Sequence, residues 1–164
     1  MRHAKTLFIM CSMIIGNTIF AADLIKTLPD DLTLSQAQTV IQAAVKKAEQ
    51  IKVPMNIAVM DAGGNLKAFA RMEDAFIGSI DIATKKARTA RYFNMSTRDL
   101  GNAAQPGKEL YGIEVTNNGL AIFAGGVLLV NSAGIIVGSV GVSGGSVDED
   151  EAVAKAAASA LPKK

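Results

Sequence analysis

Tryptophan is absent from the 164 residues, and cysteine and histidine occur once each, as Cys11 and His3. Two tyrosines and six phenylalanines leave the core to alanine, valine and isoleucine among fifteen glycines. A single cysteine excludes a disulfide framework. Long apolar runs are also missing. The one candidate, Thr6 to Phe20, spans about fifteen residues, short of the roughly twenty that a spanning helix needs. With Arg2, His3 and Lys5 before it and Ala21-Ala22 behind, residues 1–21 have the layout of a cleavable signal peptide. Cleavage would remove both Cys11 and His3. The mature chain then has no thiol nucleophile, no Cys/His zinc site, no histidine general base and no axial histidine. It also lacks an excess of either charge, since 15 basic and 15 acidic residues remain. Such a chain has little electrostatic pull on nucleic acid or anionic lipid. The expected location is periplasmic or secreted, with no stable membrane insertion after cleavage.

Residues 22–32 read as a flexible lead-in containing Pro29, and residues 33–161 as one domain. Thr33 and Gln36 form a capping-box pattern ahead of Ala37, Val40, Ile41, Ala44, Val45, Ala48 and Ile51, one apolar helical face. Asn56–Met60 and Leu66–Arg71 flank the turn residues Asp61-Ala62-Gly63-Gly64-Asn65 and predict a β-hairpin. Ser79–Phe93 predicts a helix whose stripe, Ile82, Ala83, Ala87 and Ala90, is mostly alanine, so its neighbour must pack close. Residues 94–114 read as a long irregular loop. Three apolar runs, 120–123, 127–130 and 135–142, predict three further strands before a helix over 148–161. The expectation is an α+β fold with a five-stranded antiparallel sheet and packed helices.

The glycine-rich stretch 138–146 leads from a strand into a helix, where backbone N–H groups can bind an anion. Asp148, Glu149, Asp150 and Glu151 oppose a phosphate there, and close packing is the stronger reading. Those four consecutive carboxylates point in different directions on a helix and do not converge on one metal ion. Lys85, Lys86, Arg88 and Arg91 line one helix, and Arg98 and Lys108 follow. Lys86, Arg88 and Arg91 cannot all share a face, so a subset is available for ligand carboxylates. Tyr92, Phe93, Met95 and Tyr111 either line a flat apolar site or fill the core.

Several segments together resemble the GlcG/HbpS haem-binding family. They are Val59–Asn65 with Phe69–Met72, then Lys86–Ala90 with Phe93, Asn94 and Thr97, and finally Gly125–Val127, Gly138–Gly145, Asp148, Asp150 and Glu151. The resemblance spans about residues 33–161. It implies a profilin-like fold, assembly into a homo-oligomer, haem or another tetrapyrrole as ligand, and, in exported members, a sensor partner protein. It places Thr97 as a haem contact and candidate iron ligand, with Lys86 and Arg88 against propionates. Because no histidine remains, an iron ligand must be an oxygen or thioether, and Tyr111 and Met95 are the other such donors available. Leu128 stands where the family usually has proline. The function expected is exported haem binding for scavenging, buffering or redox sensing. Alternatives are an enzyme or binding protein for a small organic acid such as a hydroxy acid, gripped by Arg71 or Arg98, and an assembly module without ligand.

Overall fold

The computed structural model describes residues 30–162, so the signal-peptide segment and most of the lead-in lie outside the described residues. The order of elements is α1 (Leu34–Ile51), β1 (Asn56–Asp61), β2 (Leu66–Arg71), α2 (Ser79–Phe93), α3 (Thr97–Ala103), β3 (Gly126–Val130), β4 (Ile136–Ser143) and α4 (Val147–Ser159). The described residues form a four-stranded antiparallel sheet in the order β2-β1-β4-β3. Helices α1 and α4 cover one face, and α2 crosses the other.

Strand alternation decides what each face meets. Ile57, Val59, Val140 and Val142 pack with α1 and α4 in the larger core, whereas Ala58 and Met60 face Ala83 and Ala87 of α2. The alanine stripe does meet a close neighbour. A Cβ on Gly141 would lie 2.2 Å from the Ala83 carbonyl oxygen and 2.3 Å from the Ala87 nitrogen. The α1 capping box is present in full, with Gln36 N donating to Thr33 Oγ1 and Thr33 N to Gln36 Oε1.

The fifth strand, expected at residues 120–123, is not formed. This segment passes between α2 and α3 and not along the sheet. The Ala121 amide donates to Thr89 Oγ1 at 3.1 Å, and the Ile122 carbonyl lies where a Cβ on Gly101 would stand. Helices bury Leu120 and Ala121 as effectively as strands would, and a four-residue apolar run carries no period that separates the two cases. The loop expected over 94–114 contains α3, a seven-residue helix started by Ser96, whose hydroxyl accepts from the Asp99 amide. Gly101 at its centre concealed it, and that glycine is what lets Ile122 pass.

Candidate functional site

The end of β4 does bind an anion through glycine amides, and the anion is the chain's own Asp150. Gly144 N and Gly145 N both donate to Asp150 Oδ1 at 3.0 Å. Its Oδ2 accepts from Lys86 Nζ at 2.5 Å, and the same ammonium donates to the Val142 carbonyl at 3.1 Å. Lys86 is 0% exposed, and Nζ lies 4.7 Å from the centre of the Phe123 ring. Burial pushes the Lys86 pKa down, against the pull of Asp150. Beside this network the Gly126 amide donates to Thr97 Oγ1 at 2.9 Å, and Thr97 is buried as well. Lys86 and Thr97 thus come together, both holding the Phe123–Gly126 segment in place.

The other three carboxylates of the run each have a separate task, as consecutive helix positions require. Asp148 and Glu151 hold Arg98 at 2.6 and 2.9 Å, Glu151 also pairs with Lys155 at 3.2 Å, and Glu149 closes a capping box on Ser146. Among the described residues no three His, Cys, Asp or Glu side chains gather to hold a metal ion. Burial works to raise the Glu151 pKa, but hydrogen bonds from Arg98 and Lys155 outweigh it and hold the carboxyl below its ordinary 4.5. In the window below 4.5 the unfolded chain therefore binds more protons than the folded one, and this stabilisation is lost as pH falls through the lowered value. Urea midpoints should fall on acidification below about pH 4.5, and an Arg98→Gln variant should show a flatter decline.

Arg88 faces a different surface. Two residues past Lys86 is about 200° around an α-helix, so the two cations occupy opposite flanks. The flank carrying Ile80, Thr84 and Arg88 borders β2, the edge strand that α2 leaves largely uncovered. Cross-strand pairing puts Leu66, Phe69 and Arg71 on the α2 side of that strand, opposite Met60, Ala58 and Asn56. Leu66 and Tyr92 are each about half exposed, and Phe69 packs against Ala58, Met60, Ala83 and Ala87. Tyr92 closes one end of the shelf over Gly64, whose positive φ and lack of a Cβ allow the ring to approach. Arg71 donates through Nε to the Ala75 carbonyl at 3.2 Å. Neither Arg71 nor Arg88 makes an ion pair among the described residues. The result is an apolar shelf edged by two arginines.

The expected site residues are therefore divided. Lys86 and Thr97 lie in the buried network, Arg88 edges the shelf, and Met95 is partly exposed just beyond the C-terminal end of α2. Tyr111 is exposed in the loop after α3. Of the two arginines considered for a small acid, Arg98 is committed to Asp148 and Glu151. Nothing in the sequence marks Leu66 and Phe69 as site residues. The available signal was their place on a hairpin strand whose helix-side cover is not given by sequence.

Residues 32–159 match the family model described as "Haem degrading protein HbpS-like". The chain is 42% identical over 126 residues to a 15.0 kDa protein of the dhaT-dhaS intergenic region of Citrobacter freundii, covering 77% of this chain and 89% of that one. The crystal structure of a PduOC:heme complex is similar at TM-score 0.76 and 36% identity, covering 80% of this chain and 95% of that one. A double mutant of Streptomyces reticuli HbpS is similar at TM-score 0.75 and 30% identity, covering 88% and 95%.

Proposed function

Since this chain belongs to the HbpS-like family, we propose that it binds haem or a related tetrapyrrole on the shelf between α2 and β2, as an exported buffer, scavenger or sensor component. The observation that supports this site best is the pairing of a partly exposed apolar floor with arginines that have no carboxylate partner among the described residues. A flat ligand with two carboxylates needs those features together. Leu66, Phe69 and Tyr92 would meet the macrocycle, and Arg88 and Arg71 would meet the propionates. When bound, the haem supplies an iron centre able to bind small ligands or change redox state. The chain's own contribution is to exclude water from one face of the ring and to fix its carboxylate edge.

Thr97 has its oxygen engaged by Gly126 inside the protein, so its role in this reading is to hold the Phe123–Gly126 segment. Met95 supplies the accessible neutral donor nearest the end of α2. A thioether without an accompanying histidine predicts modest affinity. The basic start, apolar run and small residues of the first 22 positions support export.

Titrating haemin into the purified protein should give a saturable, red-shifted Soret band. Arg88→Ala should weaken binding about tenfold, the loss of one charge-assisted hydrogen bond. Thr97→Ala should lower stability while leaving the Soret maximum in place. A band unchanged by Arg88→Ala but shifted by Thr97→Ala would move the site to the Gly126 side. Absence of any saturable band would overturn the haem reading.

A further inference from the structure

We infer that Tyr92 supplies the ligand to ferric iron at the C-terminal end of the shelf, an inference that rests on the haem reading above. Ile80, Thr84, Arg88 and Tyr92 follow one another at four-residue spacing and form a single row on α2, the row that borders β2. Tyr92 ends that row. Its ring lies over the hairpin turn, where a Cβ on Gly64 would stand 2.7 Å from Cε1 and 3.3 Å from Cδ1. The φ of +78° favours glycine in this turn, and the missing Cβ makes room for the ring. The side chain is therefore pinned along one edge, yet it remains 48% exposed to an incoming ligand. Thr84, the other hydroxyl of the row, donates to the Ile80 carbonyl at 2.9 Å, whereas the Tyr92 hydroxyl makes no hydrogen bond among the described residues.

Donor chemistry selects the residue. With neither cysteine nor histidine after position 11, the ligand is an oxygen or a thioether. Thr97 is buried, and its oxygen accepts from the Gly126 amide. Tyr111 lies in the loop after α3, outside the row that borders β2. Met95 offers a thioether, a soft neutral donor that suits ferrous iron better than ferric. A phenolate is the anionic donor that haem iron accepts in its ferric state, and Tyr92 is the tyrosine on the shelf. Arg91 packs its stem over the same glycine, with Cγ 3.8 Å from the Cβ position, and Arg88 stands one helical turn before Tyr92. Arg91 Nη1 donates to Asn94 Oδ1 at 2.6 Å, and its Nε is buried without an acceptor. The two guanidinium groups complement the negative charge that the oxygen carries once bound. On binding, the phenol O–H bond breaks as the oxygen–iron bond forms. The proton passes to solvent, with no change in oxidation state.

Haemin and metal-free protoporphyrin IX, each titrated into the wild type, Tyr92→Phe and Tyr111→Phe, separate the iron ligand from the rest of the site. Wild type with haemin should show a phenolate-to-iron charge-transfer band in the visible spectrum and phenolate vibrations in resonance Raman. Tyr92→Phe should abolish both signatures and weaken haemin binding about tenfold, while protoporphyrin IX binds the variant as well as the wild type, because ring and carboxylate contacts remain. Tyr111→Phe should behave as the wild type. Phenylalanine keeps the ring over Gly64, and circular dichroism checks that both variants fold. A phenolate signature that survives Tyr92→Phe, or that Tyr111→Phe removes, would overturn the inference. An equal loss for haemin and protoporphyrin IX would overturn it too, since Tyr92 would then act only as an apolar contact. Saturable haemin binding without a phenolate signature would overturn the ligand assignment and leave the haem reading standing. Absence of any saturable Soret band would overturn both.

Discussion

Gly141→Ala is expected to destabilise the domain by about 3 kcal/mol or more, because the added methyl group has no room. The new Cβ would stand 2.2 Å from the Ala83 carbonyl oxygen and 2.3 Å from the Ala87 nitrogen, both backbone atoms of α2. A flexible side chain could swing away, but a helix backbone cannot move without lifting α2 from β1, β3 and β4 together. Total stabilities of such domains are about 5–15 kcal/mol, so one methyl group removes a large share. Gly134→Ala is the control. Its φ is +79° in the β3–β4 turn, with no neighbouring atom within 4 Å, so only backbone strain of about 1 kcal/mol is expected. Urea unfolding of both variants checks the contrast. Equal losses would show that α2 accommodates the Gly141 methyl group and that its close approach is not limiting.

Asp150→Ala should cost about 3–5 kcal/mol, because it strands a charge that has no access to water. Lys86 would keep only the Val142 carbonyl and the Phe123 ring, and the Gly144 and Gly145 amides would lose their acceptor. Removing both members of the pair is the informative comparison. Lys86→Met with Asp150→Ala eliminates the unpaired ammonium and leaves only neutral backbone groups unsatisfied, the Gly144 and Gly145 amides and the Val142 carbonyl. The double variant should therefore recover part of the loss seen in Asp150→Ala, and a double-mutant cycle by urea denaturation measures the coupling. Strictly additive losses would mean that the ion pair does not couple α2 to α4.

Legibility differed from element to element for identifiable reasons. The α1 capping box and the 56–71 hairpin rest on contacts between residues close in sequence, and both were readable from spacing. The apolar run at 120–123 reads locally as a strand because its partners, Thr89 and Gly101, lie 32 and about 20 residues away. The glycine stretch near 144 reads from sequence more as close packing than as an anion site, because the acids after it count against an anion. That one of those acids, Asp150, is itself the anion follows from its position on the first turn of α4, folded back over the end of β4. Likewise the spacing showed that Lys86, Arg88 and Arg91 cannot share a face, but not which flank of α2 would be covered.

Local chemistry settled the class of this protein: a small-residue α+β domain, with neither cysteine nor histidine after position 11, and with motifs enough to indicate its family. Short-range periodicity, capping and turn preference carry that information, since each depends on neighbours within about one or two helical turns. The roles of individual side chains were decided by packing. Whether Lys86 meets a ligand or Asp150, and whether Phe69 is covered or forms an open shelf, depend on where α2 lies across the sheet. That placement is set by Gly141, Gly126 and the alanines of α2 acting together across long sequence separations, and no local pattern reports it.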